Sequence, residues 1–147
     1  MKTTFDKATR DELIRRINTV NENCKAQWGK MNVYEMLKHC TTWEEWIANK
    51  KINKQQFIGR LFGKIALKSV LKDEAPLRKN SPTLPSMKIQ GNGDVEAEKK
   101  KWISLLEAHV HFSNPGFVHD FFGKMTEEQI GQLAYKHADH HLRQFNC

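Results

Sequence analysis

Residues 126–145 read Thr-Glu-Glu-Gln-Ile-Gly-Gln-Leu-Ala-Tyr-Lys-His-Ala-Asp-His-His-Leu-Arg-Gln-Phe, a helical pattern that carries two histidines on the side it should bury. Thr126-Glu127-Glu128-Gln129 is a capping box, in which the Thr hydroxyl and the Gln side chain each satisfy a free backbone N–H. Ile130, Leu133 and Ala134 follow at helix spacing. At about 100° per residue, His137 and His141 fall within about 20° of the line through Ile130. His140 sits on the flank, and Asp139, opposite the stripe, is expected to be solvated. Two imidazoles at i, i+4 can point at one spot, the spacing used by metal sites on helices. As plain core residues they would carry donors and acceptors that hydrocarbon cannot satisfy. The residue after His137 is Ala138, so the His-Glu-x-x-His general base of the zinc proteases is ruled out.

Working outward, three more segments show the same period. One opens at Thr9-Arg10-Asp11-Glu12, a second capping box, with Leu13, Ile14, Ile17 and Val20 behind it. Another starts at Asn32 with Glu35 three residues on, and Val33, Met36, Leu37, Cys40, Trp43 and Ile47 make its stripe. The next follows Gly91-Asn92-Gly93-Asp94, with Val95, Trp102, Leu106 and Val110 in line. No stretch alternates with period two, so no strand is expected. The pattern predicts an all-α chain, a four-helix bundle forming one domain over residues 1–147.

The connector between the second and third of these helices is too long for a bundle turn. Gln56–Lys72 is expected to form an extra helix there, weakened by Gly59 and Gly63. Pro76, Pro82 and Pro85 then enforce an extended passage. This connector also holds the charge. The chain is formally +7, and residues 50–90 carry ten Lys or Arg, Lys50 and Lys51 among them, against Asp73 and Glu74. The remainder is almost neutral, so the insertion is basic and the scaffold is not. A nucleic-acid binder would spread its basic face and interleave aromatics, which argues against that class. Arg60, Lys64, Lys68 and Lys72 form one i, i+4 row, ordinarily a solvated face. If the helix covers the open end of the bundle, Arg60, Lys64 and Lys68 are candidate contacts for an anionic thiol or an acidic lipid.

No apolar run approaches the roughly 20 residues of a membrane span. The opening Met-Lys-Thr-Thr-Phe-Asp-Lys lacks a signal-peptide core. Cys24, Cys40 and Cys147 are odd in number and widely spaced, which fits reduced thiols in the cytoplasm. Cys40 lies inside an apolar stripe and reads as a small hydrophobe.

A metal site needs a third ligand. His39 borders the stripe of the second helix, His109 falls on the apolar side of the third, and His119 precedes the last; spacing leaves all three in competition. His111 reads as peripheral. Gln144, one turn beyond His141, is a candidate contact to a ligand or bound water, or else an ordinary polar residue at a helix end. Trp28, Trp43, Trp46 and Trp102 are candidates to line an apolar pocket, with core packing the default for Trp43 and Trp102.

Trp28-Gly29-Lys30-Met31, Met36-Leu37-Lys38-His39, Asn80-Ser81-Pro82-Thr83 and the run from Phe121-Phe122-Gly123-Lys124-Met125-Thr126 into Tyr135–Phe145 carry a family likeness. Over nearly its whole length the chain resembles the DinB/YfiT-like superfamily of four-helix bundles, and within it the DUF1569 branch. Where that branch is expected to carry His-Pro, this chain has His119-Asp120. The resemblance implies a divalent metal held by His39, His137 and His141, with His109 and His119 ranked behind. Zn or Ni comes ahead of Mg, because imidazole suits softer ions. It also implies an enzyme acting by thiol-S-transfer or hydrolysis on a small-molecule substrate; the basic insertion makes an anionic substrate, such as a low-molecular-weight thiol, the candidate. The rival is a non-catalytic stress-response or interaction module with a structural or vestigial metal. The same likeness, with the abundance of Trp and Phe, implies a homodimer.

Overall fold

The computed structural model describes residues 1–49 and 54–146; Lys50 and Lys51 of the basic segment and Cys147 lie outside them. Among the described residues the chain is mostly helical: α1 (Lys7–Thr19), α2 (Val33–Ala48), α3 (Phe57–Val70), α4 (Val95–Glu107) and α5 (Glu127–Gln144). Short 3-10 turns occupy Pro85–Met87 and Ala108–His111. A two-residue antiparallel hairpin, β1 (Val118–His119) with β2 (Gly123–Lys124), departs from the strand-free expectation. Strands this short leave no period to read. Their turn is closed by His119, whose Nδ1 accepts from the backbone N–H groups of Phe121 and Phe122 at 3.0 and 3.2 Å, and by Gly123 at φ +78°.

Capping chemistry sets the helix starts. Asn32 and Glu35 exchange side-chain and backbone bonds of 2.8 and 2.9 Å at α2, and Thr126 and Gln129 do the same at α5. Asp94 caps α4 by accepting from Ala97 N–H. The reading of α1 needs correction, because its cap is Asp6 rather than Thr9. Thr9 lies inside the helix and gives both its N–H and its hydroxyl proton to the Asp6 carboxylate, at 3.0 and 2.9 Å. A charged acceptor at that place outcompetes a hydroxyl three residues later.

α1 and α2 each pack on both α4 and α5. Leu13, Ile17, Met36, Leu37, Cys40, Trp102, Leu106, Ala138 and Leu142 fill the space between them. A second apolar cluster, built on Trp43, Ile47, Leu67, Phe117, Met125, Ile130 and Leu133, joins the C-terminal half of α2 to the start of α5, the hairpin and α3. The insertion is therefore helical, as read, and docks on the hairpin. Its two glycines are needed there: a Cβ on Gly59 or Gly63 would stand well inside contact distance of the Phe121 carbonyl. Gln55 and Gln56 donate to the carbonyls of Phe121 and Asp120 at 2.9 and 2.8 Å. At the far end of α3 the buried Lys136 ammonium donates to the carbonyls of Val70 and Asp73 at 2.6 and 3.0 Å.

Asp139 is not solvated. It is 5% exposed and paired with Arg16 of α1 at 2.8 Å and with Arg143 at 2.7 Å. α5 is buried against α1 as well as α2, so the side opposite its apolar stripe also meets protein. Val110 is exposed, because the chain tightens to a 3-10 turn at Ala108 and the helical phase of α4 stops there.

Candidate metal centre

His39 on α2 and His137 and His141 on α5 come together, each offering one ring nitrogen within 4.8 Å of the others. The closest approach is His39 Nε2 to His137 Nε2 at 2.9 Å. Tetrahedral ligation at 2.0–2.1 Å places neighbouring nitrogens about 3.3 Å apart, so small ring movements would seat an ion.

The tautomers are fixed by their outer partners. His39 Nδ1 lies 2.8 Å from the Met87 carbonyl, which can only accept, so Nδ1 carries the proton and Nε2 presents its lone pair inward. Gln144 Nε2 donates to the Trp28 carbonyl at 2.8 Å, which assigns the amide orientation and leaves Oε1 to face His141 Nδ1 at 2.9 Å. That oxygen accepts, so His141 Nδ1 is also protonated and its Nε2 is free. Metal-ligating histidines are commonly held by such second partners. Gln144 is buried, and its place in the structure is behind His141, one step removed from any ligand. The loop carrying the Trp28 carbonyl comes close enough only because residue 29 is glycine: φ is +82°, and a Cβ there would lie 2.7 Å from Gln144 Nε2.

Burial keeps the three rings neutral. It lowers the His39 pKa, partly offset by the bond to the Met87 carbonyl. It pushes His141 down to about 3, with the neighbouring His39 adding to the effect. His137 is held well below its ordinary value by burial first and by the other histidines second. Neutral imidazole is the ligand form, so the site is prepared for a cation at neutral pH. Trp43 stacks obliquely on His137 with ring centres 4.8 Å apart, and its buried Nε1 has no hydrogen-bond partner among the described residues.

The other candidates lie elsewhere. His109 is buried between the Thr4 hydroxyl at 2.7 Å and Glu44 at 3.0 Å. His119 closes the hairpin turn among Trp43, Trp46 and Phe122, and burial takes its pKa to about 3. His111 is exposed. Cys40 is fully buried beside Met36, and burial pushes its thiol pKa well up, which leaves it in the core as read. Trp102 is core, whereas Trp43 is both core and a wall of the site.

A groove of about 650 Å³ is lined by Trp28, His140, Lys79, Arg143, Arg16 and Glu12 among others, and by none of the three clustered histidines. His140 is the groove residue nearest in sequence to the centre, its ring 5.1 Å from His141 and 5.6 Å from Trp28. Lys79 lies over the Trp28 ring at 4.4 Å. Trp28 lines a pocket as read from the sequence, but the groove is polar rather than apolar, and its Lys79, from a loop with no period, is not singled out by the sequence. Arg60, Lys64 and Lys68 are exposed on α3 and do not line it.

A family model described as "Protein of unknown function (DUF1569)" matches residues 2–147. No curated protein and no solved structure matches.

Proposed function

We propose, for a chain that belongs to the DUF1569 family, that His39, His137 and His141 hold a divalent metal, Zn or Ni ahead of Mg, in an enzyme of DinB/YfiT-like four-helix-bundle type. The observation that carries this is the pair of forced tautomers. His39 and His141 each spend Nδ1–H on an oxygen that can only accept, which leaves Nε2 as the lone-pair nitrogen, and His39 Nε2 lies 2.9 Å from His137 Nε2. Hydrogen bonding among three histidines alone would not require both outer nitrogens to be fixed in this way. Trp43 Nε1, beside His137 and without a hydrogen-bond partner among the described residues, is a further candidate donor to a bound ligand.

When bound, such a metal would acidify a coordinated water or thiol and so supply a nucleophile at neutral pH for hydrolysis or thiol-S-transfer. The residues around it would do the rest. Gln144 and the Met87 carbonyl orient the ligands, Trp43 walls the site from water, and the groove past His140 admits a substrate. Lys79 and Arg143 there favour an anionic one. The test is turnover of ester and thiol-transfer substrates by metal-loaded protein, with His137→Ala and chelator-treated protein as controls. Activity that survives both controls would refute the reading.

A second reading, a non-catalytic module with a structural metal, draws on the depth of the site, where His39 and His141 are 5% and 7% exposed. Cobalt-substituted protein separates the two. An open site changes its visible spectrum on adding azide or a small thiol, and a closed one does not.

A further inference from the structure

α3 presents its apolar side outward, the reverse of a surface helix packed on its own protein. Phe57, Ile58, Leu61, Phe62 and Ile65 are 73%, 62%, 58%, 57% and 71% exposed. Phe57, Leu61 and Ile65 follow at i, i+4 and i+8, with Ile58 and Phe62 alongside, so the five form one stripe. The other large apolar side chains exposed among the described residues are Met1 and Val110, neither of them on this helix. The inner face of α3 carries Gly59 and Gly63, pressed on the Phe121 backbone, and the buried Leu67. The helix is fastened at one end through Gln55 and Gln56 and at the other through Lys136. Its largest side chains are thus held away from the protein by contacts that leave them no place to fold in. Arg60 and Lys64 run along one edge of the stripe, and Lys68 lies between Phe57 and Leu61 in helical projection. Lys64 also donates to the Lys124 carbonyl, and no Asp or Glu occurs from residue 46 to residue 72.

We propose that α3 is an interfacial helix that seats the protein on a surface of anionic phospholipid, its apolar stripe at the acyl boundary and its cations on the headgroup phosphates. Charge selects this occupant. A second copy would bring another unbroken set of cations to the same interface, and uncharged lipid would leave the row without counter-charge. Anionic lipid answers both the apolar stripe and its basic edge, the combination found in helices that lie in the membrane plane. At 14 residues α3 is about 21 Å long and lies on the bilayer; among the described residues no helix is long and apolar enough to cross it. The inference is independent of the metal centre.

The experiment is co-sedimentation with vesicles of phosphatidylcholine containing 30 mol% phosphatidylserine, against vesicles of phosphatidylcholine alone. Native protein should partition onto the anionic vesicles and release as salt is raised. A basic residue at an anionic surface contributes about fivefold, so Arg60→Gln, Lys64→Gln and Lys68→Gln together should weaken binding roughly a hundredfold. Leu61→Ser with Ile65→Ser should abolish it, with circular dichroism and metal content unchanged, since all five positions are on the surface. No binding by native protein overturns the proposal. Equal binding to both vesicles, or a doubled mass in light scattering that the Leu61→Ser, Ile65→Ser variant returns to monomer without any vesicle binding, does so as well.

Discussion

Gln144→Leu is the substitution that separates a positioned metal site from a chance meeting of histidines. The side chain makes two bonds in a place only 4% exposed, accepting from His141 Nδ1 at 2.9 Å and donating to the Trp28 carbonyl at 2.8 Å. Its backbone carbonyl, which accepts from Gln27 N–H at 2.7 Å, is untouched. Leucine is close in volume, so the change removes the two polar contacts and leaves little cavity. The orphaned Trp28 carbonyl and His141 N–H cost about 1–3 kcal/mol each, offset in part by the buried leucine. Metal affinity falls for a different reason: His141 loses the acceptor that holds its proton on Nδ1 and its lone pair inward. Loss of such a partner typically weakens binding about 10–100-fold, or roughly 1.4–2.7 kcal/mol. Gln144→Glu keeps an acceptor for His141 while setting a carboxylate oxygen against the Trp28 carbonyl, so it should cost stability yet hold metal more tightly than Leu. Competition with a chromophoric chelator gives the affinities, and nitrogen-15 spectra of the imidazoles give the His141 tautomer. A leucine variant that binds metal within twofold of the parent would refute the reasoning.

Two further outcomes follow from the packing and the burial. Gly63→Ala should destabilise the fold by up to about 2 kcal/mol in urea unfolding, because an overpacking cost of about 1–3 kcal/mol against the Phe121 carbonyl exceeds a helix-propensity gain of about 1 kcal/mol; a more stable variant would mean that α3 does not dock on the hairpin. Metal-free protein should lose stability as pH falls. His141 and His119 have folded pKa values of about 3, below the unfolded value of 6.5, so between those limits the unfolded chain binds more protons. Their contribution is complete above pH 6.5 and declines by about 1.4 kcal/mol per pH unit for each until the folded values are reached. His39, His137 and His140 act in the same direction. Urea melts at pH 7, 6 and 5 with an unchanged midpoint would contradict this.

Several of these features are legible in the sequence because they are local. The Asn32–Glu35 and Thr126–Gln129 boxes mark their helices, and the His137–His141 spacing places both rings on one face. Local pattern fails where a second partner decides. Thr9 and Glu12 look like a cap, but Asp6 takes the role by offering a carboxylate to Thr9 itself. Asp139 looks solvated on a wheel with one buried direction, yet α5 also faces Arg16 of α1. Spacing left His39, His109 and His119 level. What separates them is tertiary: a Met87 carbonyl from a 3-10 turn, a Thr4–Glu44 pair, and a hairpin turn. Gly59 and Gly63 read as helix weakeners and serve as the close-contact face of α3.

The central claim is the three-histidine metal centre, and its most direct test is the metal content of protein purified without a nickel column, measured by plasma mass spectrometry. The account predicts about one equivalent of Zn or Ni per chain. It also predicts that His39→Ala and His137→Ala reduce this to background while circular dichroism is kept, and that His109→Ala leaves it unchanged. Native protein that contains no metal and takes up none when titrated with Zn or Ni at pH 7.5, or a His137→Ala variant that keeps its full equivalent, would contradict it.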